Sequence, residues 1–459
     1  MPLYGADIDQ MRELGRMLLA KAEQLEADVA RPLSHQILGS SVWRGPNAEG
    51  FRSDWSASLE PMIRRAAQQL RAANERLTAN ANEQEQASRG TGGSGVAVGG
   101  ALPLRGTTIP RGVGLYPQAT AQWWAGLSDA EKQRQIEENP EKIGNLDGVD
   151  AASRDKANRI VLAEAVKRAR ERLHEHEKNR SLWSHFVGDA ELVRLRRQLE
   201  ELRRIEDALY PGHSGDPRQL LTLDFSGERL KAAVSVGDVD KASHICVIVP
   251  GMTTNVHDSL QGNVDSAERL RNRTAALGGM RRKDIATVAW LGYDAPQDII
   301  KASVAGDAHL GAERLSPFLT GIDSIRKQSP AGDPHMTVFG HSYGSTTSGF
   351  AATMTPDGVI DKLVLAGSPG SGVTSLEQYS VPKGNVYVSA TPGDPFLGLG
   401  NDDYFKTDPR DLPGIKHLNA DISDADHGFI IDPIEMHTSY LKEKTAALDD
   451  IALVSAGKK

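Results

Sequence analysis

Apolar residues recur every three to four positions over the first part of the chain, in two stretches separated by a polar break. Leu14 and Leu18 belong to the first stretch, and Leu70 and Leu77 belong to the second. This spacing puts apolar side chains on one face of a helix, so residues 6–88 are predicted to form two long helices paired as an antiparallel hairpin. Such a pair cannot bury both apolar faces by itself. We therefore expect a small helical-hairpin partner, or a homo-oligomer formed through this region.

The pattern then changes twice before it becomes regular again. Residues 89–114 are rich in glycine, which is typical of a flexible linker. Residues 115–215 return to helical spacing and are predicted to form a helical lead-in or lid. Its long helices are expected over residues 129–138, 154–178 and 189–209.

Residues 216–459 show short β-rich runs that alternate with amphipathic stretches. This alternation indicates βα units around a mostly parallel sheet, so an α/β domain is predicted. The expected strands are residues 220–225, 232–236, 244–249, 286–290, 336–339, 362–366, 385–389 and a weaker run at 415–422.

The segment Gly340-His341-Ser342-Tyr343-Gly344 lies between an apolar run and a stretch of small residues. A strand that leads into G-x-S-x-G and then into a helix holds the serine on a strained turn with its hydroxyl exposed. In a chain with 45 glycines the motif alone is weak, and its strand-to-helix placement carries the prediction. Ser342 is thus the predicted nucleophile, and a serine in an ordinary βα turn is the alternative.

The order of the predicted strands is that of the α/β-hydrolase fold, which we take as the fold class. In that fold the acid follows the nucleophile along the chain and lies at the carboxyl end of a later strand. Asp394 follows the strand predicted at residues 385–389, so it is the predicted acid. The alternative is a turn aspartate before Pro395.

The base should follow the last strand on a loop at the same edge of the sheet. His427 occupies such a place and is the predicted base. His437 and His417 are the alternatives. We rank them lower because His437 falls within the segment after Pro433 and His417 falls within a strand, so neither is on a strand-end loop.

Acyl transfer by a serine also requires an oxyanion hole. In this fold one backbone amide comes from the residue after the nucleophile and another from the loop after the third strand. Those residues are Tyr343 and Met252. Gly251, just before Met252, can equally mark a simple strand-end turn.

Several short motifs together resemble a poorly characterised family of actinobacterial α/β-hydrolases over residues 115–455. The resemblance implies the triad Ser342, Asp394 and His427. It implies no substrate, because one fold hosts many functions. The motifs are Trp123-Trp124-Ala125-Gly126-Leu127, Val249-Pro250-Gly251-Met252, Trp290-Leu291-Gly292-Tyr293, Gly340-His341-Ser342-Tyr343-Gly344, Gly367-Ser368-Pro369-Gly370, Gly393-Asp394-Pro395 and Asp426-His427.

Trp43-Arg44-Gly45 lies between the two predicted N-terminal helices. This arrangement resembles the small WxG-motif proteins of type VII secretion systems, which are exported folded. The resemblance implies export by such a system, and a cytoplasmic location is the alternative. The first residues lack the basic and apolar regions of a signal peptide, which argues against the general secretory route.

Composition narrows the function further. A net charge of -8 and a pI near 5.9 argue against a nucleic-acid partner. The single cysteine, Cys246, lies in a predicted strand and is expected to be a buried core thiol rather than a nucleophile. No apolar run reaches the length of a transmembrane helix, and no cofactor or metal ion is expected, because the acidic residues lack the spacing of a calcium loop.

These residues predict a serine hydrolase, esterase-like or lipase-like, that cleaves a carboxylic ester or lipid through an acyl-enzyme. Phospholipase, thioesterase and amidase activities are alternatives at the same site. Two rival hypotheses belong to other classes: a type VII-secreted antibacterial toxin with phospholipase activity, and a non-catalytic scaffold that keeps the fold for binding. Trp123 and Trp124 can serve as a lid over the site or, as we favour, as aromatic anchors in a core.

Overall fold

The computed structural model of the chain divides into two compact units, Met1–Leu104 and Arg105–Lys459. The division falls within the predicted glycine-rich linker. The described residues are 109, 113–178, 190–211, 215–227, 229–302, 304–400, 402–422 and 433–459, together with 31–39 and scattered positions within 16–78.

The described part of the first unit is helical and contains helix α1 (Arg31–Gly39). The buried Trp55 donates its Nε1–H to Ser34 Oγ over 2.9 Å. The guanidinium of Arg71 contacts the carboxylate of Glu26 at 2.8 and 2.9 Å. The earlier residue of the first predicted helix contacts the later residue of the second, as expected for an antiparallel pair. The hairpin stays a prediction, because the turn Trp43-Arg44-Gly45 lies outside the described residues.

The second unit begins with helices that precede the sheet. Ser128 begins one of them through a capping box, in which its Oγ accepts from Glu131 N and its own N–H donates to the Glu131 carboxylate. The helices are α2 (Pro117–Ala125), α3 (Asp129–Glu138), α4 (Pro140–Gly144), α5 (Ala151–Lys178) and α6 (Ala190–Ala208).

Polar side chains of this helical region bind the backbone of the first strand. Asp155 Oδ1 accepts from Leu220 N at 2.7 Å, and Asn158 Nδ2 donates to Leu220 O at 2.9 Å. Asn145 Oδ1 accepts from Leu223 N at 2.9 Å. An edge strand otherwise leaves such groups unpaired, so these helices complete the sheet.

The two tryptophans of α2 belong to a small core of the helical region. Trp124 is fully buried and donates its Nε1–H to Asp150 Oδ2 over 2.5 Å. Trp123 packs against the same cluster, which also contains Ile136, and Ile325 from the helix before the fifth strand. The pair therefore has the anchoring role that we favoured over a lid.

The described residues of the second unit form an eight-stranded sheet in the order β1-β2-β4-β3-β5-β6-β7-β8. β2 runs antiparallel to β1 and β4, and the remaining pairs are parallel. The α/β-hydrolase fold is confirmed, and the weak last strand is shorter than predicted. The strands are β1 (Arg218–Asp224), β2 (Lys231–Val236), β3 (His244–Val249), β4 (Ile285–Leu291), β5 (His335–His341), β6 (Lys362–Ala366), β7 (Val386–Ser389) and β8 (Lys416–His417).

Helices cover both faces of this sheet. They are α7 (Val256–Gly278), α8 (Ile299–Ala302), α9 (Gly306–Lys327), α10 (Tyr343–Met354), α11 (Asp402–Phe405), α12 (Pro433–Thr438) and α13 (Ala446–Ser455), with single 3₁₀ turns at Arg282–Asp284, Leu376–Gln378 and Pro409–Asp411.

Successive residues of the central strands alternate between two cores. Val247 and Val338 belong to the core that contains residues of α9 and α10. Cys246 and Ile248 belong to the other, which contains residues of α7 and α13. Burying one such side chain stabilises the fold by about 1.5–3 kcal/mol. Both faces are thus covered, and the carboxyl ends of the parallel strands share one edge. Among the described residues, no helix has the length and apolarity needed to span a membrane.

Candidate active site

Ser342 lies on the turn between β5 and α10, with a φ of 55° and a ψ of -131°. A positive φ is strained for a residue with a Cβ, so the surrounding structure must hold it there. The Ser342 N–H donates to Ala366 O of the neighbouring strand β6 over 2.9 Å. The sequence therefore folds at this point into the strained strand-to-helix turn that G-x-S-x-G predicts.

The two glycines of the motif permit close backbone approach. A Cβ at Gly340 would lie 2.5 Å from Ser345 Cα, and one at Gly344 would lie 2.2 Å from Val249 O. Distances this short are impossible for real side chains. The crossing of α10 over β3 and β5 thus requires glycine at both positions.

A continuous chain of hydrogen bonds joins Ser342 to Asp394 through His437. His437 Nε2 is 2.7 Å from Ser342 Oγ, and His437 Nδ1 is 3.0 and 2.9 Å from Asp394 Oδ1 and Oδ2. All three side chains are buried. With the Nδ1–H directed to the carboxylate, Nε2 is free to accept the serine proton, as a general base must.

The histidine at this place differs from the predicted one. His427 lies outside the described residues, and the contacts that we expected it to make belong to His437. Our reason for ranking His437 lower was that it follows Pro433, and it does lie in α12. That short helix nevertheless brings the imidazole to the carboxyl ends of the strands. We did not expect this, because we looked for the base only on a loop that directly follows a strand. The other alternative, His417, is on β8 and is exposed.

Asp394 follows β7, and its carboxylate is shielded from solvent. Burial works to raise the pKa of Asp394, but the hydrogen bond and charge of His437, with further donors, outweigh it and lower the pKa. The donors are Phe396 N at 2.9 Å and Tyr440 Oη at 2.8 Å. The carboxylate is therefore ionised and fully hydrogen-bonded where a triad acid must be.

His341, the residue before Ser342, contacts the base from the other side. Its Nε2–H donates to His437 O over 2.6 Å, and the two rings lie 4.8 Å apart. Burial, together with the nearby His437, lowers the pKa of His341 to about 4. The ring is thus neutral at physiological pH, which our sequence reasoning did not consider. The sequence feature that could have pointed to this residue is its place inside the G-x-S-x-G motif, directly before Ser342.

Gly367 and Phe396 close the space around the base. The Phe396 ring lies 4.3 Å from the His437 ring. Gly367 has a φ of 56°, and a Cβ there would lie 3.2 Å from His437 Cε1 and 3.2 Å from Asp394 Oδ2. A glycine is therefore needed at the point where the side chains of Asp394 and His437 meet.

The residues predicted for the oxyanion hole flank the serine. Tyr343 begins α10, whose first backbone amides have no partner within the helix. A Cβ on Gly251 would lie 2.6 Å from Ser342 Cβ, so the loop that carries Met252 passes directly over the nucleophile. The two residues are placed where the amides of an oxyanion hole come from in this fold.

Two other kinds of reactive group were predicted to be absent from the site, a metal centre and a nucleophilic thiol. No group of three or more His, Cys, Asp or Glu side chains in that part of the chain is arranged to hold a metal ion. Cys246 is buried in β3, and burial raises the pKa of its thiol to about 12. The thiol is thus unsuited to nucleophilic attack.

Two solved structures match this chain distantly. The dienelactone hydrolase of Anabaena variabilis is 19% identical, with a TM-score of 0.32, over 51% of this chain and 94% of that chain. A hyperthermophilic esterase from the archaeon Pyrobaculum calidifontis is 18% identical, with a TM-score of 0.23, over 40% of this chain and 54% of that chain. Neither match is close enough to bear on function.

Sequence relatives are closer. The chain is 32% identical over 295 residues to the uncharacterized protein Rv2079 of Mycobacterium tuberculosis, a match that covers 61% of this chain and 43% of that protein. It is 32% identical over 233 residues to the uncharacterized protein Mb0988c of Mycobacterium bovis, covering 49% of this chain and 84% of that protein. The chain thus spans less than half the length of the first of these relatives. The alpha/beta hydrolase family profile matches residues 226–399, and the chain belongs to the alpha/beta hydrolase family.

Proposed function

We propose that this protein is a serine hydrolase that cleaves a carboxylic ester through an acyl-enzyme. Ser342 is the nucleophile, His437 is the general base and acid, and Asp394 orients the imidazole. The observation that carries the proposal is the hydrogen-bonded chain from Ser342 Oγ through His437 to Asp394, at the end of a strained strand-to-helix turn.

In the first half-reaction His437 Nε2 takes the Ser342 proton as Oγ attacks the ester carbonyl carbon. The carbonyl oxygen becomes an anion and is stabilised by the amides of Tyr343 and Met252. Asp394 stabilises the imidazolium, which then protonates the leaving alcohol. In the second half-reaction His437 Nε2 takes a proton from water, whose oxygen attacks the acyl carbon. The bond from that carbon to Ser342 Oγ then breaks, the imidazolium returns the proton to Oγ, and the carboxylic acid is released.

The direct test is covalent labelling of the full chain by a fluorophosphonate probe, followed by peptide mapping. We expect modification at Ser342, and no labelling of Ser342→Ala. Hydrolysis of a short p-nitrophenyl ester should disappear in the same variant. If a folded sample does not react with the probe, the non-catalytic scaffold would replace our proposal. Comparing p-nitrophenyl ester, thioester and anilide substrates then distinguishes esterase from thioesterase and amidase chemistry.

We further propose that the first unit, Met1–Leu104, serves delivery or partner binding rather than chemistry. The support is the division of the chain after Leu104 and the antiparallel contacts within residues 26–71. A chain beginning at Arg105 should fold and keep its esterase activity. Light scattering on residues 1–104 should show a homo-oligomer. If the unit instead needs a small helical-hairpin partner, the isolated piece should not form a stably folded monomer. Loss of activity on truncation, or a stably folded monomer of the first unit, would contradict this division of roles.

A further inference from the structure

Tyr440 lies three residues after His437 and is almost completely buried, with 1% of its surface exposed. Its hydroxyl donates to Asp394 Oδ2 over 2.8 Å. The hydroxyl oxygen of Tyr440 also accepts a hydrogen bond from the backbone N–H of Thr391 over 3.0 Å. The segment that supplies the base therefore also supplies a hydrogen-bond donor to the acid.

The direction of this hydrogen bond follows from its partners. The Thr391 N–H can only donate, so the Tyr440 oxygen must accept there and its own proton must point to Asp394. The proton position is thus determined by the backbone of the loop that carries the acid. Because the carboxylate is buried, every donor it gains affects both its orientation and its basicity.

The ring and the hydroxyl of Tyr440 have separable roles. The ring lies 5.6 Å from the His341 ring, and its Cε2 would lie 3.0 Å from a Cβ on Gly367. A phenylalanine would keep these packing contacts. Only the hydroxyl reaches Asp394. Removing the hydroxyl therefore keeps the core filled but takes one hydrogen-bond donor away from Asp394 Oδ2.

We propose that Tyr440 is a positioning residue for the reaction, whose hydroxyl holds the Asp394 carboxylate in the orientation that serves His437. The inference rests on the proposed function, since it assigns a role within the same triad. The hydrogen bonds of the Tyr440 hydroxyl go to Asp394 and Thr391 rather than to Ser342. It acts through Asp394 on the proton affinity of the imidazole.

Loss of the hydroxyl should shift the pH profile in a defined direction. Without this donor the carboxylate is more basic and holds the imidazolium more strongly. The pH at which the site becomes active should therefore rise. The charged and titratable groups facing this cluster are Asp394, His437 and His341, with Arg410 affected by Tyr440 at longer range.

The first experiment compares Tyr440→Phe with wild type in the full chain. We expect kcat to fall about 10- to 100-fold, as for loss of a hydrogen bond to a charged group, with KM nearly unchanged. The acid limb of the kcat/KM profile should move to higher pH. Tyr379→Phe is the matched control, because Tyr379 is buried and donates to Ser371 O over 2.6 Å without touching Asp394. The control should lose stability only.

A second variant keeps the experiment informative if Tyr440→Phe does not fold. Site-specific 3-fluorotyrosine at position 440 retains the hydroxyl and makes it a stronger donor. The acid limb should then move to lower pH, opposite to Tyr440→Phe. An unshifted pH limb in either folded variant, or an equal shift in Tyr379→Phe, would overturn the positioning role. Fluorophosphonate labelling of wild-type Ser342 is measured in parallel, so that failure of the proposed function itself is recognised separately.

Discussion

Ser342 and His437 meet at 2.7 Å, but different parts of the molecule hold them. Ser342 follows β5, a central strand paired with β3 and β6, and precedes α10, of which the first ten residues are buried. His437 lies on the six-residue helix α12 and is held by Asp394, Phe396 and His341. Ser342 is thus placed by the whole core, and His437 by a few side-chain contacts.

This difference indicates where the site is sensitive. A single hydrogen bond contributes about 0.5–3 kcal/mol to the stability of the fold. Removing one hydrogen bond around His437 can therefore displace this side chain without unfolding the protein. Around Ser342 the backbone itself is packed at van der Waals distance, and a change there affects the fold. The predictions below test this contrast, from the largest expected effect to the smallest.

The largest effect is expected from His437→Ala. Loss of the general base should lower kcat/KM by about 10⁴-fold or more, while the melting temperature changes little because the substitution removes one side chain of a six-residue helix and leaves the sheet intact. The measurement is p-nitrophenyl ester hydrolysis with a thermal melt. His427→Ala is the matched control and should stay within a few-fold of wild type. The reverse result would restore His427 as the base.

Gly367→Ala should disturb acid and base together. The added Cβ would contact Asp394 Oδ2, His437 Cε1 and Tyr440 Cε2 at 3.0–3.2 Å, so we expect kcat to fall about 100-fold or more. Gly358→Ala is the control, because Gly358 also has a positive φ but nothing within 4 Å of its Cβ position. Both variants should lose about 1–2 kcal/mol of stability from backbone strain. Equal activity losses in the two would show that strain alone is responsible.

His341→Leu removes the contact between the nucleophile strand and the base segment. Loss of the hydrogen bond to His437 O should lower kcat about tenfold with KM little changed. His417→Gln, at an exposed histidine on β8, is the control and should leave kcat unchanged. A changed KM with an unchanged kcat would argue against a role in holding His437.

The same variant should alter the pH dependence of stability. The folded pKa of His341, about 4, is below the usual value of about 6.5. Between these values the unfolded chain binds a proton that the folded protein does not, so stability falls as the pH falls from 6.5 to 4. The loss should be at most about 3 kcal/mol and should be reduced in His341→Leu. Urea unfolding at pH 7, 5 and 4 provides the measurement.

The smallest effect concerns Cys246, on the strand next to β5. The thiol is 2% exposed and its pKa is raised to about 12, so iodoacetamide at pH 8 should not modify the folded protein. Labelling should appear only in denaturant, with the same midpoint as global unfolding. Fast labelling of the native protein would mean that β3 and β5 open locally. That result would contradict our inference that the core around Ser342 is rigid.

Much of the fold could be predicted because the local pattern and the tertiary structure agree. Each predicted strand has a counterpart near its expected place, and the buried alternation along β3 follows from its run of apolar residues. The position of Ser342 was equally accessible, because the turn, its two glycines and the following helix are contiguous in sequence. Asp394 could be located because it directly follows β7.

The histidine that contacts Ser342 and Asp394 could not be located in this way. His427 and His437 both follow β8, and ten residues of sequence separate them. Which of them reaches Ser342 depends on how the chain returns to the edge of the sheet, and no local propensity encodes that path. The hydroxyl of Tyr440 and the imidazole of His341 likewise meet their partners through residues distant in the chain.

The sequence by itself determined the α/β-hydrolase fold, the strained turn at Ser342 and the loop that carries Asp394. Each depends on spacing, on glycine or on β propensity, and these act over a few neighbouring residues. Only the tertiary structure decided that His437 lies between Ser342 and Asp394, and that Tyr440 binds the same carboxylate. These contacts span 43 to 95 residues of chain, and they form only when the folded chain brings the segment that carries His437 and Tyr440 back to Asp394 and Ser342.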